Sequence, residues 1–194
     1  MDDAALAICP DRHGNIWIGT DDSGLWQYNR DGKLIANYRY DPHHSNSLGS
    51  NGVLSIREDR QGDLWIGTNR GLYRYDPQRD GFQRYQYEVL DPTRAEQLSV
   101  KAIWEYKDGE IWFGTMGNGL CRLNLQQKTI SYYRYDAQNP QSLSHNNVWA
   151  ICEDPASRDY LWIGTFGGGL NRFDRKTETF THFMHDPQNP NSLS

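Results

Sequence analysis

The tetrapeptide Trp-(Ile/Phe)-Gly-Thr occurs four times in 194 residues: Trp17–Thr20, Trp65–Thr68, Trp112–Thr115 and Trp162–Thr165. The intervals are 48, 47 and 50 residues, and a Gly-Leu pair follows each copy at Gly24-Leu25, Gly71-Leu72, Gly119-Leu120 and Gly169-Leu170. Chance does not produce this spacing. A fixed period of this length marks a repeat architecture, in which each unit buries its apolar surface against its neighbours.

The second unit reads most cleanly as four strands. Val53–Glu58 alternates in character, and the turn Asp59-Arg60-Gln61-Gly62 ends it. Asp63–Thr68 is apolar on both faces, as a strand covered on both sides must be. A short loop at Asn69-Arg70-Gly71 leads to Leu72–Asp76, and a last strand runs Gly81–Tyr87. Connections this short require antiparallel neighbours, so each unit is a meander. Four-stranded units of 40–50 residues fit the blade of a β-propeller. Leucine-rich repeats are shorter, and the 33–34-residue repeats are helical. The fold class expected is all-β, a β-propeller array with four four-stranded antiparallel blades per chain. Blades are placed at about 4–40, 52–87, 99–135 and 147–184 within one array spanning 1–194, with Pro/Asn/Ser-rich connectors between them. A parallel β-helix is the runner-up.

The glycine after Trp-Ile is expected to admit close approach of another backbone or a large ring, and the glycine before Leu to supply positive φ. Connectors open on Asp-Pro or Asn-Pro steps such as Asp41-Pro42, Asp91-Pro92 and Asn139-Pro140, and each carries one large apolar residue: Leu48, Leu98, Leu143 or Leu193. These leucines are expected to plug the space between blades.

Composition agrees and narrows the function. Aromatics make up 13% of the chain, with 7 Trp and 12 Tyr, and such residues suit a pleated, half-buried surface. Net charge is −5 with no basic stripe, which argues against a nucleic-acid partner. No apolar run reaches the length of a membrane span, and the start, Met1–Gly14, lacks the basic and apolar regions of a secretory signal. Three scattered cysteines, Cys9, Cys121 and Cys152, make no disulfide framework or zinc spacing, and read as small buried hydrophobes. His43-His44 lacks a third ligand, so no metal is expected. The repeated Glu58, Glu105 and Glu153 read as repeat architecture and not as a catalytic pair. No catalytic residue and no cofactor is assigned.

The stretch Ile56–Asp76, with the pattern Ile-x-Glu-Asp-x-x-Gly-x-Leu-Trp-Ile-Gly-Thr-x-x-Gly-Leu-x-Arg-Tyr-Asp, recurs at Ile151–Asp174 and, with losses, in blades 1 and 3. It resembles the two-component regulator propeller repeat, as does Asn191–Ser194. That resemblance implies a ligand-sensing fragment of the extracytoplasmic sensor region of a bacterial hybrid histidine kinase or related receptor, placed in the periplasm. Glycan fragments are the ligand class it suggests. Family members carry more blades, an immunoglobulin-like domain, a membrane helix and a kinase; no kinase His box or nucleotide loop is present here.

The chain opens inside the first strand of blade 1 and closes on a connector, so copies could join head to tail. The expectation is self-association of two chains into an eight-bladed ring, with a closed four-blade monomer or a piece of a longer array as alternatives.

Ligands of such rings sit over the central channel, on the loops after the second strand of each blade and on the connectors. The candidate ligand-binding residues are therefore Asp21, Asp22, Asn69, Arg70, Met116, Asn118 and Phe166 from those loops. Asn51, His145, Asn146 and Asn147 come from the connectors, and Trp104 and Trp149 are the flanking aromatics. A sugar would suit amides beside aromatic rings. Three functions stay open: a ligand-binding sensor, a protein-interaction or self-assembly module, and a propeller lyase or hydrolase.

Overall fold

The computed structural model describes residues 3–85, 98–107, 109–190 and 192–193. Among them sixteen strands form four antiparallel sheets, each a meander in chain order. Blade 1 is β1 (Ala5–Pro10), β2 (Ile16–Thr20), β3 (Leu25–Tyr28) and β4 (Leu34–Tyr38); blade 2 is β5 (Val53–Glu58), β6 (Leu64–Thr68), β7 (Gly71–Asp76) and β8 (Gly81–Tyr85). Blade 3 is β9 (Val100–Lys107), β10 (Glu110–Thr115), β11 (Leu120–Asn124) and β12 (Thr129–Tyr133); blade 4 is β13 (Val148–Glu153), β14 (Tyr160–Thr165), β15 (Gly169–Asp174) and β16 (Thr179–Phe183). The antiparallel meanders bear out the blade reading and set aside the β-helix. Residues 86–87 at the expected end of blade 2, the Asp91-Pro92 step, and Asn191 and Ser194 lie outside the described residues.

Each letter of the repeated motif has a physical task. The tryptophan donates its indole N–H to the turn aspartate six or eight residues before it: Trp17 to Asp11 at 2.9 Å, Trp65 to Asp59 at 2.8 Å and Trp162 to Asp154 at 2.8 Å. The other oxygen of the same carboxylate accepts turn N–H groups, those of Gln61 and Asp63 in blade 2, so one aspartate locks both the hairpin turn and the core tryptophan. In blade 3, Tyr106 occupies the aspartate position, and Glu110 takes the Trp112 indole at 2.7 Å from the far side of the turn. The threonine hydroxyl donates to the carbonyl of the glycine before leucine, as Thr68 does to Gly71 at 3.1 Å. Gly71 has φ +119°, the left-handed region that a side chain disfavours.

The blades stack through three cores. The first joins Cys9, Trp17 and Leu25 of blade 1 to Val53, Leu64, Ile66, Tyr73 and Phe82 of blade 2. The second joins Trp65 and Leu72 to Val100, Ile111 and Phe113, and the third joins Trp112, Leu120 and Tyr133 to Val148, Leu161, Ile163, Phe173 and Phe180. The leucines Leu48, Leu98 and Leu143 are buried, and Leu48 and Leu143 belong to the first and third cores, as expected of plugs. The motif glycine lets the next blade approach: a methyl group on Gly67 would come within 2.6 Å of the Val100 carbonyl oxygen.

The innermost strands lie side by side in the order β1, β5, β9, β13, and no comparable pairing joins β13 back to β1. Four blades with three cores form an open arc, so the closed four-blade monomer is not what the chain adopts. Ile8 is 70% exposed, whereas its counterpart Ile103 is 9% exposed; Leu193 is 41% exposed, whereas Leu143 is fully covered.

The thiols follow the same geometry. Cys9 and Cys121 are buried and Cys152 is exposed. Burial pushes the Cys121 thiol up to about 12 and raises that of Cys9 as well. The thiolate is the reactive species. In dilute solution, Ellman's reagent is therefore expected to consume one thiol quickly in the native chain and all three only in denaturant. Two fast native thiols would mean that a blade opens. Cys9 packs against blade 2 while Cys152 lies on the uncovered face of blade 4, so the two belong to different junctions.

Candidate functional site

The loops after β2, β6, β10 and β14 and the connectors gather at one end of the blades, tied by backbone hydrogen bonds. Each loop is held by the lead-in to its own blade: Asn69 N–H donates to Gly52, Met116 to Ser99 and Phe166 to Asn147. The lead-in to the following blade adds a second tie, with Gly24 donating to Asn51, and Gly117 and Gly119 to Asn146.

Most of the polar candidates spend their hydrogen-bonding capacity on this frame. The Asn51 side-chain oxygen accepts the Tyr40 N–H at 2.8 Å, and Asn146 accepts that of Tyr135 at 2.8 Å. Asn69 accepts the Ser99 hydroxyl at 3.2 Å, and the buried Asn118 accepts from Arg134 at 3.2 Å. His145 Nδ1 accepts the Asn147 N–H at 3.1 Å. The exposed Asp21 and Asp22 loop is capped by Asp3, whose carboxylate accepts the N–H groups of Asp22 and Ser23. The hydrogen bond with Ser23 outweighs desolvation, and with those of Asp22 and Thr20 it holds the Asp3 carboxyl below its ordinary value. The Arg70 guanidinium sits 5.9 Å above the Tyr40 ring.

Trp104 parts company with the other candidates. It lies toward the opposite end of its strand, lining a shallow cleft with Glu153, Asp154, Pro155 and Arg158, under the Arg57 guanidinium at 4.7 Å. Along β9 it pairs with Trp112, toward the turn end and away from Thr115.

Three apolar candidates remain as exposed surface at this end. Trp149 is 48% exposed and Phe166 is 62% exposed, and their rings stack at 5.3 Å with 21° between planes. The Lys101 ammonium lies 5.2 Å from the indole centroid on its way from blade 3. Met116, also exposed, hangs on the same end through its bond to Ser99. Lys101, Asp3 and Tyr40 were not among the sequence candidates. Lys101 had a signal, since it is the charged residue at a strand position held elsewhere by Leu6, Leu54 and Trp149. Among the described residues no group of three or more His, Cys, Asp or Glu could hold a metal ion, and His44 pairs with Asp41.

Four-stranded antiparallel blades packed face to face around a row of innermost strands make this chain a β-propeller array. Three of its four repeats match the model of the two component regulator propeller family, at residues 1–22, 47–70 and 142–167. Among solved structures it is similar to the extracellular domain of a putative hybrid two component system from B. thetaiotaomicron, at 31% identity and TM-score 0.72 over 93% of this chain and 22% of that one. The extracellular domain of a putative one component system from the same organism matches at 24% identity and TM-score 0.78, over 97% of this chain and 23% of that one. The computationally designed Ika4 protein shares the fold at 11% identity and TM-score 0.59, covering 90% of this chain and 92% of its own. The chain thus spans under a quarter of the two bacterial domains. No curated protein matches it. Among the described residues no helix is long and apolar enough to cross a membrane.

Proposed function

We propose that this array is a non-catalytic recognition module of an extracytoplasmic receptor, and that it takes a glycan or similar polar ligand at the loop end of blades 3 and 4. The observation that carries this is the exposed Trp149–Phe166 stack with the Lys101 ammonium beside it. Folding leaves two large rings in water side by side, with a cation beside them. An aromatic face packs against the C–H face of a sugar ring, while neighbouring polar groups orient its hydroxyls. The extracellular placement of the similar bacterial domains supports the compartment. The test is an oligosaccharide array followed by calorimetry, with Trp149→Ala and Phe166→Ala alongside. Binding weakened about tenfold or more by each variant, about 1.4 kcal/mol, with unchanged circular dichroism, is the expected result. No binder, or binding indifferent to both variants, would refute the site.

A second reading has its own support. The two uncovered end faces favour an assembly module that needs more blades, either from a second copy or from a longer parent chain.

A further inference from the structure

The uncovered faces at the two ends of the arc are not generic. Besides their cores, the blades are stitched by two kinds of polar clamp, the first between blades 1 and 2 and blades 2 and 3, the second between blades 1 and 2 and blades 3 and 4. In the first, the glutamate at the end of an innermost strand accepts the turn N–H of the preceding blade: Glu58 takes Arg12 N–H at 2.9 Å and its guanidinium at 3.0 Å, and Glu105 takes Arg60 N–H at 2.9 Å. In the second, the tyrosine closing an outermost strand donates its hydroxyl to the carboxylate just before the next outermost strand. Tyr38 donates to Asp80 at 2.7 Å and Tyr133 to Glu178 at 2.9 Å.

At the two free ends both halves of the first clamp are missing together. Blade 4 offers Pro155 where the turn N–H should be, and blade 1 has Pro10 where the glutamate should be. Blade 4 closes on Phe183, which has no hydroxyl, but Lys33 stands before β4 just as Lys128 stands before β12 inside the arc, so the second clamp does not mark out the ends. A neighbour bearing the usual glutamate would bury a carboxylate against Pro155 with no donor to meet it. A neighbour bearing the usual turn would present an N–H to Pro10 with no acceptor. Each mismatch costs the desolvation of an unpaired polar group. Where blade 4 meets blade 1, the missing glutamate and the missing turn N–H fall opposite each other, and neither leaves a polar group unpaired.

The apolar parts agree. On the free face of blade 1, Ala5, Ile8 and Ile35 occupy the places of Val53, Ile56 and Phe82, which pack in the first core. The free side of blade 4 carries exposed Cys152, Phe183 and the plug Leu193.

We propose that the neighbour of both ends is a second copy of this chain, docked head to tail, blade 4 of each on blade 1 of the other, to close an eight-bladed ring. This deepens the assembly reading and is independent of the ligand. The two patches differ, so the contact is heterologous, and two copies close where both junctions form at once.

Sedimentation and light scattering should give a particle of about 45 kDa, twice the 22.5 kDa chain, with Cys152 labelling that slows as concentration rises. Ile8→Asp and Phe183→Asp should each raise the dissociation constant at least about tenfold, since each buries an unpaired charge in both junctions. Mixing the two variants should restore a dimer, because one junction is then made of unaltered faces. Pro10→Glu should weaken pairing, and adding Pro155→Arg should recover it by rebuilding the clamp.

A wild-type monomer, a ladder of larger masses, or pairing that either single-face variant leaves intact would overturn the proposal. A monomer that binds a polarity-sensitive dye at its end faces would remove the second copy yet keep the assembly reading. A monomer without dye binding would remove both.

Discussion

Trp65→Ala is expected to cost about 3–5 kcal/mol, while Trp162→Ala, the same letter of the same motif, costs roughly half as much. Both belong in the Ile8→Asp background, where the end faces stay apart. Trp65 is fully buried between blades 2 and 3, packs against the tilted Tyr85 ring at 4.9 Å and gives its N–H to Asp59. Removing it leaves a cavity with walls on both sides and strands a buried aspartate oxygen. Trp162 keeps its bond to Asp154 but faces the open end, so its loss exposes little that water does not already reach. Urea unfolding followed by circular dichroism reads both. Equal costs would show that blade 4 is covered in the single chain, contrary to the open arc.

A similar contrast is expected at the motif glycine. Gly67→Ala should destabilise by about 1–3 kcal/mol or more, because its new methyl would lie 2.6 Å from the Val100 carbonyl oxygen and 2.8 Å from a Val100 methyl. Those atoms belong to the next blade, and the Ser55 side chain of the same blade crowds the position as well, so both the serine and the blade spacing would have to give. Gly164→Ala should change stability by no more than about 0.5 kcal/mol, since the nearest atom is the Ala150 Cβ at 3.4 Å. Thermal unfolding of the two variants checks this. Were Gly67→Ala silent, the inter-blade approach would be looser than the structure has it. In the wild-type background Gly164→Ala has a further consequence. In the head-to-tail pairing proposed above, its methyl would meet the Ala5 carbonyl of the second copy, so the variant should fold normally yet pair at least about tenfold more weakly, a loss of about 1.4 kcal/mol.

Much of the fold was legible because its signals are local. The period of Trp-Ile-Gly-Thr, the two-residue alternation of Val53–Glu58 and the turn residues Asp59 and Gly62 each act within one hairpin, and strands appear where those signals put them. Even the positive φ of Gly71 follows from a loop too short for any other course. The site was less legible. Asn51, Asn118 and Asn146 looked like ligands, yet their amides close connectors and loops, a role that the same residue type serves in any tight turn. Trp104 and Trp149 looked alike, but Trp104 pairs with Trp112 near the turn end of its strand, whereas Trp149 follows Val148, the partner of Thr165, at the loop end, so they reach different ends of the blade. Lys101 escaped notice because its partner Trp149 is 48 residues away and meets it only through blade stacking.

The four repeats themselves are the part that the sequence determined alone, since hydrogen-bonded meanders answer to neighbours a few residues off. Whether the blades close, which faces stay bare, and that Pro10 and Pro155 stand where the clamp groups of other blades stand were decided by the tertiary structure. Those properties depend on contacts between blades about 48 residues apart. Burial and polar pairing at such junctions are set by which side chains are brought face to face, and no local pattern carries that information.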